Sequence, residues 1–149
     1  MKIGVIQASS QIEKNNMLYE CTQDYGEVIN FGCFENEENY SYVEIALEIC
    51  LLISSQAVDF IVTGCSSGQG MMIACNSLPN LICGYLPTPQ DAYLFGRIND
   101  GNVASLPLGL NYGWAGEINL KATLQQLFEE PFGIGYPLKD AKRKQEDTK

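Results

Sequence analysis

The chain alternates short apolar runs with amphipathic stretches along most of its length. Apolar runs of this kind predict buried strands, and the stretches between them predict helices with one apolar face. Regular alternation of the two predicts repeated βα units around a parallel sheet. The predicted strands cover residues 2–7, 27–31, 60–63, 81–85 and 103–106, and the predicted helices cover residues 11–24, 41–55, 69–76, 89–97 and 114–128.

Two of the predicted helices begin with specific capping chemistry. Ser41 begins a capping box at the second helix, and Thr88 begins another that has Pro89 at the first helical position. The segment 131–137 contains two prolines and two glycines, so the last core helix must end by residue 130. We therefore predict a single α/β domain over residues 1–130, followed by a polar C-terminal extension over residues 131–149.

The composition argues against several classes of protein. The net charge is −9, and five of the nine cationic residues lie in the last eleven residues, so the acidic domain is a poor candidate for binding nucleic acid. No apolar run approaches the roughly 20 residues of a membrane span, and the start does not resemble a signal peptide. We expect no membrane association and a cytoplasmic location.

The six cysteines lack any paired C-x-x-C spacing, and the chain contains no histidine. This pattern does not fit a typical zinc site, so we predict no metal site. In a reducing compartment we expect free thiols, most of them buried as small apolar groups.

The turn after the third predicted strand carries the most specific chemistry. Ligands of open parallel sheets bind at the carboxyl ends of strands, which selects the turns after residues 7, 63, 85 and 106. Residues 64–70 read Gly-Cys-Ser-Ser-Gly-Gln-Gly and lead into a helix. Glycines permit a close approach to the backbone, and the first amides of a helix are unpaired and carry partial positive charge. The turn therefore predicts an anion or oxyanion site.

Cys65 lies just before these amides, where the field of the helix favours the thiolate as a base or a nucleophile. Because it stands between a glycine and two serines, we place Cys65 in the turn and outside the packed core. Cys75 lies among Ile73 and Ala74 and is typical of a buried core residue. Other motifs fail: no lysine completes a Walker A loop, Ile73 replaces the third glycine of the dinucleotide fingerprint, and no histidine completes a serine triad. We predict no cofactor.

With this turn, the chain resembles the ribose-5-phosphate isomerase B and galactose-6-phosphate isomerase family over nearly the whole predicted domain. The resemblance is carried by the opening strand, by residues 65–76, and by the Asn-Asp-Gly-Asn-Val block at residues 99–103. It implies a Rossmann-like three-layer domain with a five-stranded parallel sheet. It also implies homodimers or larger homo-oligomers whose active sites lie at the subunit interface.

The resemblance further implies a mechanism and a set of site residues. Cys65 matches the cysteine that moves a proton between adjacent sugar carbons through an enediolate, and Ser67 matches a threonine near the substrate oxygens. The backbone amides of residues 66–71 would stabilise the enediolate oxygen. Asn99 matches an asparagine that hydrogen-bonds the sugar. We thus predict Cys65 and Ser67 as catalytic residues, and the predicted substrate-binding residues are Ser9, Ser66, Gly68, Gly70, Met71 and Asn99.

The sequence also departs from the family pattern. Ala8 and Ser9 replace an Asp-His pair, Ile98 replaces the histidine credited with ring opening, and residues 108–110 and 133–137 stand where phosphate-binding arginines are expected. The glycine turn and the Gly-Trp-Ala-Gly-Glu block at residues 113–117 resemble a divergent branch of the family.

Three functional hypotheses follow from these observations. The first is an aldose-ketose isomerase that uses Cys65 as general base on a small sugar or sugar phosphate, without metal. The alternatives are a non-catalytic sugar-binding or regulatory homologue and an enzyme with Cys65 as nucleophile. Lys14, Arg97 and the basic C-terminal segment are the candidate cations for a phosphate. If none of them faces the site, an unphosphorylated or differently charged sugar is favoured.

Overall fold

The apolar runs form a parallel sheet at the centre of a computed structural model, which describes residues 1–35, 39–109, 112–113, 115–134 and 138–148. The sheet has five strands in the order β2-β1-β3-β5-β4, and all neighbouring strands are parallel. This arrangement confirms the predicted fold class. The strands are β1 Lys2–Ile6, β2 Glu27–Gly32, β3 Phe60–Cys65, β4 Cys83–Tyr85 and β5 Val103–Pro107.

Helices cover both faces of the sheet and produce the predicted three layers. One buried cluster joins the sheet to α2 and α3, and the other joins it to α1, α4 and α5. A 3-10 segment, Ser9–Lys14, precedes α1, a second one, Gln23–Tyr25, follows it, and a π-helical segment, Phe95–Asn99, continues α4. Among the described residues, no helix has the length and apolarity needed to cross a bilayer. The helices are α1 Asn15–Thr22, α2 Tyr42–Ser54, α3 Gln69–Asn76, α4 Pro89–Leu94, α5 Gly116–Phe128 and α6 Leu138–Thr148.

Both predicted helix starts are present. The Glu44 amide donates a hydrogen bond to Ser41 Oγ at 3.3 Å, and the Asp91 amide donates to Thr88 Oγ at 3.3 Å. Each side chain thereby satisfies one of the backbone donors that a helix leaves unpaired at its beginning. Pro89 occupies the first turn of α4, as its fixed φ predicts.

Two parts of the chain differ from the sequence-based expectation. The helix predicted over residues 11–24 is divided, because Gln11 has non-helical dihedral angles (φ −121°, ψ 33°) inside the 3-10 segment. The C-terminal extension, expected only to be polar, contains α6, and the Gln145 side chain donates a hydrogen bond to the Asp100 carboxylate. The domain boundary at residue 130 stays a prediction.

Arg97 has a structural role and is not a free cation. It is only 1% exposed, and its guanidinium donates to the carbonyls of Leu127 at 3.3 Å and Gln126 at 2.7 Å. These carbonyls belong to the last turn of α5, where cations are stabilised by the helix dipole. The guanidinium also lies 4.8 Å from the centroid of the Tyr93 ring. The candidate role of Arg97 in binding a phosphate is therefore wrong, because its charge is buried against α5.

We expect Arg97→Met to lower the free energy of unfolding by about 2–4 kcal/mol, since two carbonyls lose charge-assisted donors. Lys121→Met, which removes an exposed cation from α5, serves as the control and should change stability by less than about 0.5 kcal/mol. Urea unfolding measures both values. An Arg97→Met protein with unchanged stability and weakened binding of a sugar phosphate would return Arg97 to the substrate site.

Candidate active site

The site forms where the direction of the sheet changes. From β1 the chain continues to β2 on one side, whereas the later strands β5 and β4 lie on the other side of β3. Ligands of such sheets bind in the crevice at this switch point, outside the carboxyl ends of the strands. The Ala8 amide donates to the Gly64 carbonyl at 2.9 Å, so the ends of β1 and β3 meet there. Cys65 is the last residue of β3 and lies at this crevice.

The surroundings of Cys65 differ from the prediction in one respect. We expected Cys65 in a turn outside the packed core, but it ends a strand, is only 7% exposed and belongs to the buried cluster under α2 and α3. The reason is the register of β3 with β5, which pairs Cys65 with Pro107 and extends the strand beyond the predicted end at residue 63. The Gly68 amide donates a hydrogen bond to Cys65 Sγ at 3.2 Å. This bond fixes the sulfur beside the beginning of α3.

The turn between β3 and α3 depends on Gly68. Its φ of 84° lies in the left-handed region, which favours glycine. Ser67 Oγ accepts a hydrogen bond from the Gln69 amide at 3.2 Å, and the Gly68 carbonyl accepts one from the Met72 amide at 3.3 Å. The amides of the first turn of α3 have no preceding helical carbonyl to donate to, so they are suited to a developing negative charge.

Ser66 lies beside the loop that follows β5. The Gly109 amide donates to the Ser66 carbonyl at 3.0 Å, and a Cβ atom at Gly109 would lie 2.9 Å from Ser66 Oγ and 2.7 Å from Gln11 Nε2. The side chains of Ser66 and Gln11 therefore converge on Gly109. Sequence reasoning missed Gln11. Its position shortly after β1, at the carboxyl edge of the sheet, is the signal that could have identified it.

Gly70 and Met71 contribute through their backbone rather than their side chains. Met71 is fully buried, so only its amide is available to a ligand at the turn. A Cβ at Gly70 would lie 3.1 Å from the Tyr42 ring, which places this half-exposed ring over the start of α3. Tyr42 was also missed, although it directly follows the predicted cap Ser41 at the carboxyl edge.

Ser9 lies at the same edge but is already engaged. Its Oγ accepts a hydrogen bond from the Tyr40 amide at 2.7 Å and donates to Cys33 Sγ at 3.6 Å. The hydroxyl thus connects the ends of β1 and β2 with the loop before α2. Its predicted contact with a substrate stays a prediction.

Asn99 lies at the opposite edge of the sheet. It ends the π-helical segment before β5, and the nearby Asn102 carbonyl accepts a hydrogen bond from the Ile61 amide at 2.9 Å, at the beginning of β3. From there to Cys65 the strand rises by about 13 Å, at roughly 3.3 Å per residue. One chain therefore does not bring Asn99 and Cys65 together. The cavity of about 430 Å³ between Phe60 and Gly101 lies at this amino edge too.

Few cationic side chains of the described residues lie at the carboxyl edge of the sheet. Lys14 Nζ lies 4.2 Å from the centroid of the Tyr112 ring, and the two residues follow β1 and β5 respectively. Burial raises the pKa of the Tyr112 hydroxyl, and the negative charge of Glu117 adds to this effect. Among the residues that the structure describes, no cluster of three or more metal-binding side chains is present. Residues 110, 114 and 135–137, which carry some of the family comparisons, lie outside the described part of the chain.

Cys83 shows what an unreactive cysteine looks like here. Cys75 and Cys83 lie in the same buried cluster as Cys65. A hydrogen bond with Cys75, together with burial, raises the pKa of the Cys83 thiol far above its ordinary value. Because the thiolate is the reactive form, Cys83 is expected to be inert.

The model of the ribose/galactose isomerase family matches residues 3–133. The chain belongs to this family. A comparison with curated proteins finds no match. The family assignment confirms the resemblance that the glycine turn indicated.

Solved structures agree with the family assignment. A 4-deoxy-L-threo-5-hexosulose-uronate ketol-isomerase complexed with a tartrate is 40% identical, with a TM-score of 0.91 over 99% of this chain and 73% of that chain. A ribose-5-phosphate isomerase from Vibrio parahaemolyticus is 37% identical, with the same TM-score and coverage. A ribose 5-phosphate isomerase from Thermotoga maritima shares the fold at 24% identity, with a TM-score of 0.80 over 99% of this chain and 96% of that chain. The family and these neighbours are sugar isomerases, which supports an isomerase activity.

Proposed function

We propose that this protein interconverts an aldose and a ketose, with Cys65 as the general base. The observation that carries the proposal is the position of the Cys65 sulfur. It accepts a hydrogen bond from the Gly68 amide at the switch-point crevice of a chain that belongs to a family of sugar isomerases. Action without a metal ion and a cytoplasmic location stay predictions.

The proposed reaction needs one base and one oxyanion site. The Cys65 sulfur removes the proton from the carbon next to the carbonyl, and the electron pair of that bond moves into an enediolate. The same sulfur returns the proton to the neighbouring carbon, while the hydroxyl proton passes from one enediolate oxygen to the other. The first amides of α3, including those of Gly70 and Met71, are donors for the developing oxyanion, and losing one such donor costs about 3 kcal/mol.

The serines of the turn have different capacities for binding a sugar. Ser67 Oγ accepts from the Gln69 amide, which leaves its own proton free to donate to a substrate oxygen. Ser66 Oγ lies beside Gly109 and Gln11. Ser9 already donates and accepts, so a sugar that binds Ser9 must displace its contact with Cys33. We propose Ser67 as the principal hydroxyl at the reacting carbons.

We propose a homodimer or larger assembly in which Asn99 reaches the Cys65 site of a second copy. One chain holds the two residues at opposite edges of the sheet, so a contact between them requires another subunit. The described surface supports association, because α2 and α3 contact each other and both expose apolar side chains, here called the apolar stripe. The stripe consists of the exposed side chains Val43, Leu47, Leu51 and Ile73.

The second candidate function is a sugar-binding homologue without turnover. It is favoured by the absence of histidine from the whole chain, since the family's ring-opening residue is missing. Such a protein would bind a sugar at the turn and show no proton exchange at the carbon next to the carbonyl. An enzyme that uses Cys65 as a nucleophile would instead form a covalent adduct, which mass spectrometry detects.

The choice of substrate depends on the available cations. Arg97 is buried against α5, which leaves Lys14 as the described candidate at the carboxyl edge. A dianionic phosphate is usually held by several such groups, whereas a neutral sugar or a sugar acid needs fewer. The uronate ketol-isomerase among the similar structures acts on a sugar acid. We therefore favour an unphosphorylated sugar or a sugar acid over a sugar phosphate.

Cys65→Ala should lower kcat by about 10²-fold to 10⁴-fold, because the base is removed. Cys75→Ala is the matched control, since both cysteines belong to one buried cluster and each variant should lose about 1 kcal/mol of stability. Only Cys75→Ala should keep most of its turnover. Enzyme assays are paired with urea unfolding, and equal loss of turnover at equal stability would contradict the role of Cys65.

A mixture of two inactive variants tests the shared site. Co-expressed Cys65→Ala and Asn99→Ala chains form mixed dimers with one intact site, so we expect about a quarter of the wild-type activity in a symmetric dimer. Each variant alone should be nearly inactive. Mixed activity that does not exceed the sum of the two variants, or a fully active monomer by light scattering, would refute the shared site.

Lys14→Met should reduce kcat/KM for an anionic sugar by about tenfold and leave a neutral sugar unaffected, because only the anion gains from a charge-assisted contact. Lys121→Met is the control for lost charge. The wild type is assayed with a neutral sugar, a sugar acid and a sugar phosphate, and we expect the phosphate to be the poorest substrate. A phosphate preference that disappears on truncation after Leu138 would show that the C-terminal segment supplies the cations.

A further inference from the structure

A buried hydroxyl on β5 contacts the turn that holds Cys65. Ser105 is fully buried, and its Oγ donates a hydrogen bond of 2.7 Å to the Gly68 carbonyl. The register of the sheet pairs Ser105 with Thr63 of β3 and with Tyr85 of β4, so its backbone position is fixed on both sides. A buried hydroxyl with a short, strong partner is a restraint on the group that it contacts.

The group that Ser105 contacts is one peptide unit held at both ends. The carbonyl of the unit between Gly68 and Gln69 accepts from Ser105, and its N–H donates to Ser67 Oγ at 3.2 Å. The preceding unit donates the Gly68 N–H to Cys65 Sγ at 3.2 Å. These three contacts restrain the orientation of both units and therefore the conformation of Gly68.

Gly68 needs such an external restraint. Its φ of 84° is accessible to glycine, and a Cβ there would lie 3.0 Å from both the Leu106 carbonyl carbon and the Tyr85 ring. A residue without a side chain has the greatest conformational freedom and no packing of its own to limit it. The hydrogen bond from Ser105 supplies that limit from the neighbouring strand.

We propose that Ser105 is a positioning residue, which holds Gly68 so that its amide points at the Cys65 sulfur. The proposal rests on the proposed role of Cys65 and acts through Gly68, without contact between Ser105 and the substrate. Thr63 provides the contrast. It is the register partner of Ser105 and equally buried, yet its hydroxyl has no hydrogen-bond partner among the described residues.

The test compares Ser105→Ala with Thr63→Val, since each removes one fully buried hydroxyl from adjacent strands. We expect Ser105→Ala to lower kcat about tenfold with KM changed less than about twofold, and to speed hydrogen exchange of the Gly68 amide about tenfold. Thr63→Val should change none of these values. Ser105→Thr keeps the hydroxyl and should restore most of the activity. Exchange is followed by nuclear magnetic resonance and kcat by isomer formation.

Isomer formation and hydrogen exchange of the Gly68 amide distinguish a failure of the proposed function from a failure of the positioning role. The Gly68 carbonyl also accepts from the Met72 amide, so Ser105→Ala leaves it one partner and should fold. If it does not fold, Ser105→Cys keeps the volume with a weaker donor and is tested in the same way. A wild type without isomerase activity would contradict the proposed function alone. Equal exchange of the Gly68 amide in wild type, Thr63→Val and the Ser105 variant would overturn the positioning role.

Discussion

The pairing of β3 with β5 is the constraint on which the site depends. The register runs from Ile61 with Val103 to Cys65 with Pro107 without interruption. It requires glycine at position 64, because a Cβ there would lie 2.3 Å from the Leu106 carbonyl oxygen. The close approach places the loop after β5 against the end of β3, and it sets Ser105 beneath the turn. The geometry of the thiol thus follows from the sheet.

Among the described residues, Arg97 is used to stabilise the fold and not to line the carboxyl edge of the sheet. The buried Arg97 guanidinium donates hydrogen bonds to carbonyls at the end of α5, where the helix dipole stabilises a cation. The carboxyl edge offers backbone amides, hydroxyls and Lys14 near an aromatic ring. Under the proposed function, these groups would recognise hydroxyl groups and a developing oxyanion more readily than a dianion.

The distance between the two edges of the sheet restricts which residues can share one site. A parallel strand places its ends on opposite sides of the domain, so Cys65 at the end of β3 and Asn99 before β5 cannot meet in one chain. Any mechanism that uses both residues requires a second subunit. Val43, Leu47 and Leu51 of α2 and Ile73 of α3 are exposed apolar side chains, and the proposed assembly would use this surface.

The sequence by itself determined the strands, the capped starts of α2 and α4, and the glycine turn, because these depend on local apolar period, capping side chains and backbone freedom. It also identified the family through short blocks of residues. Only the tertiary structure decided that Cys65 is packed and that Arg97 is structural. It also decided that Gln11 lies beside Gly109 and that Tyr42 and Ser105 contact the turn. Those facts depend on strand register and on contacts between residues far apart in the chain, which local patterns do not encode.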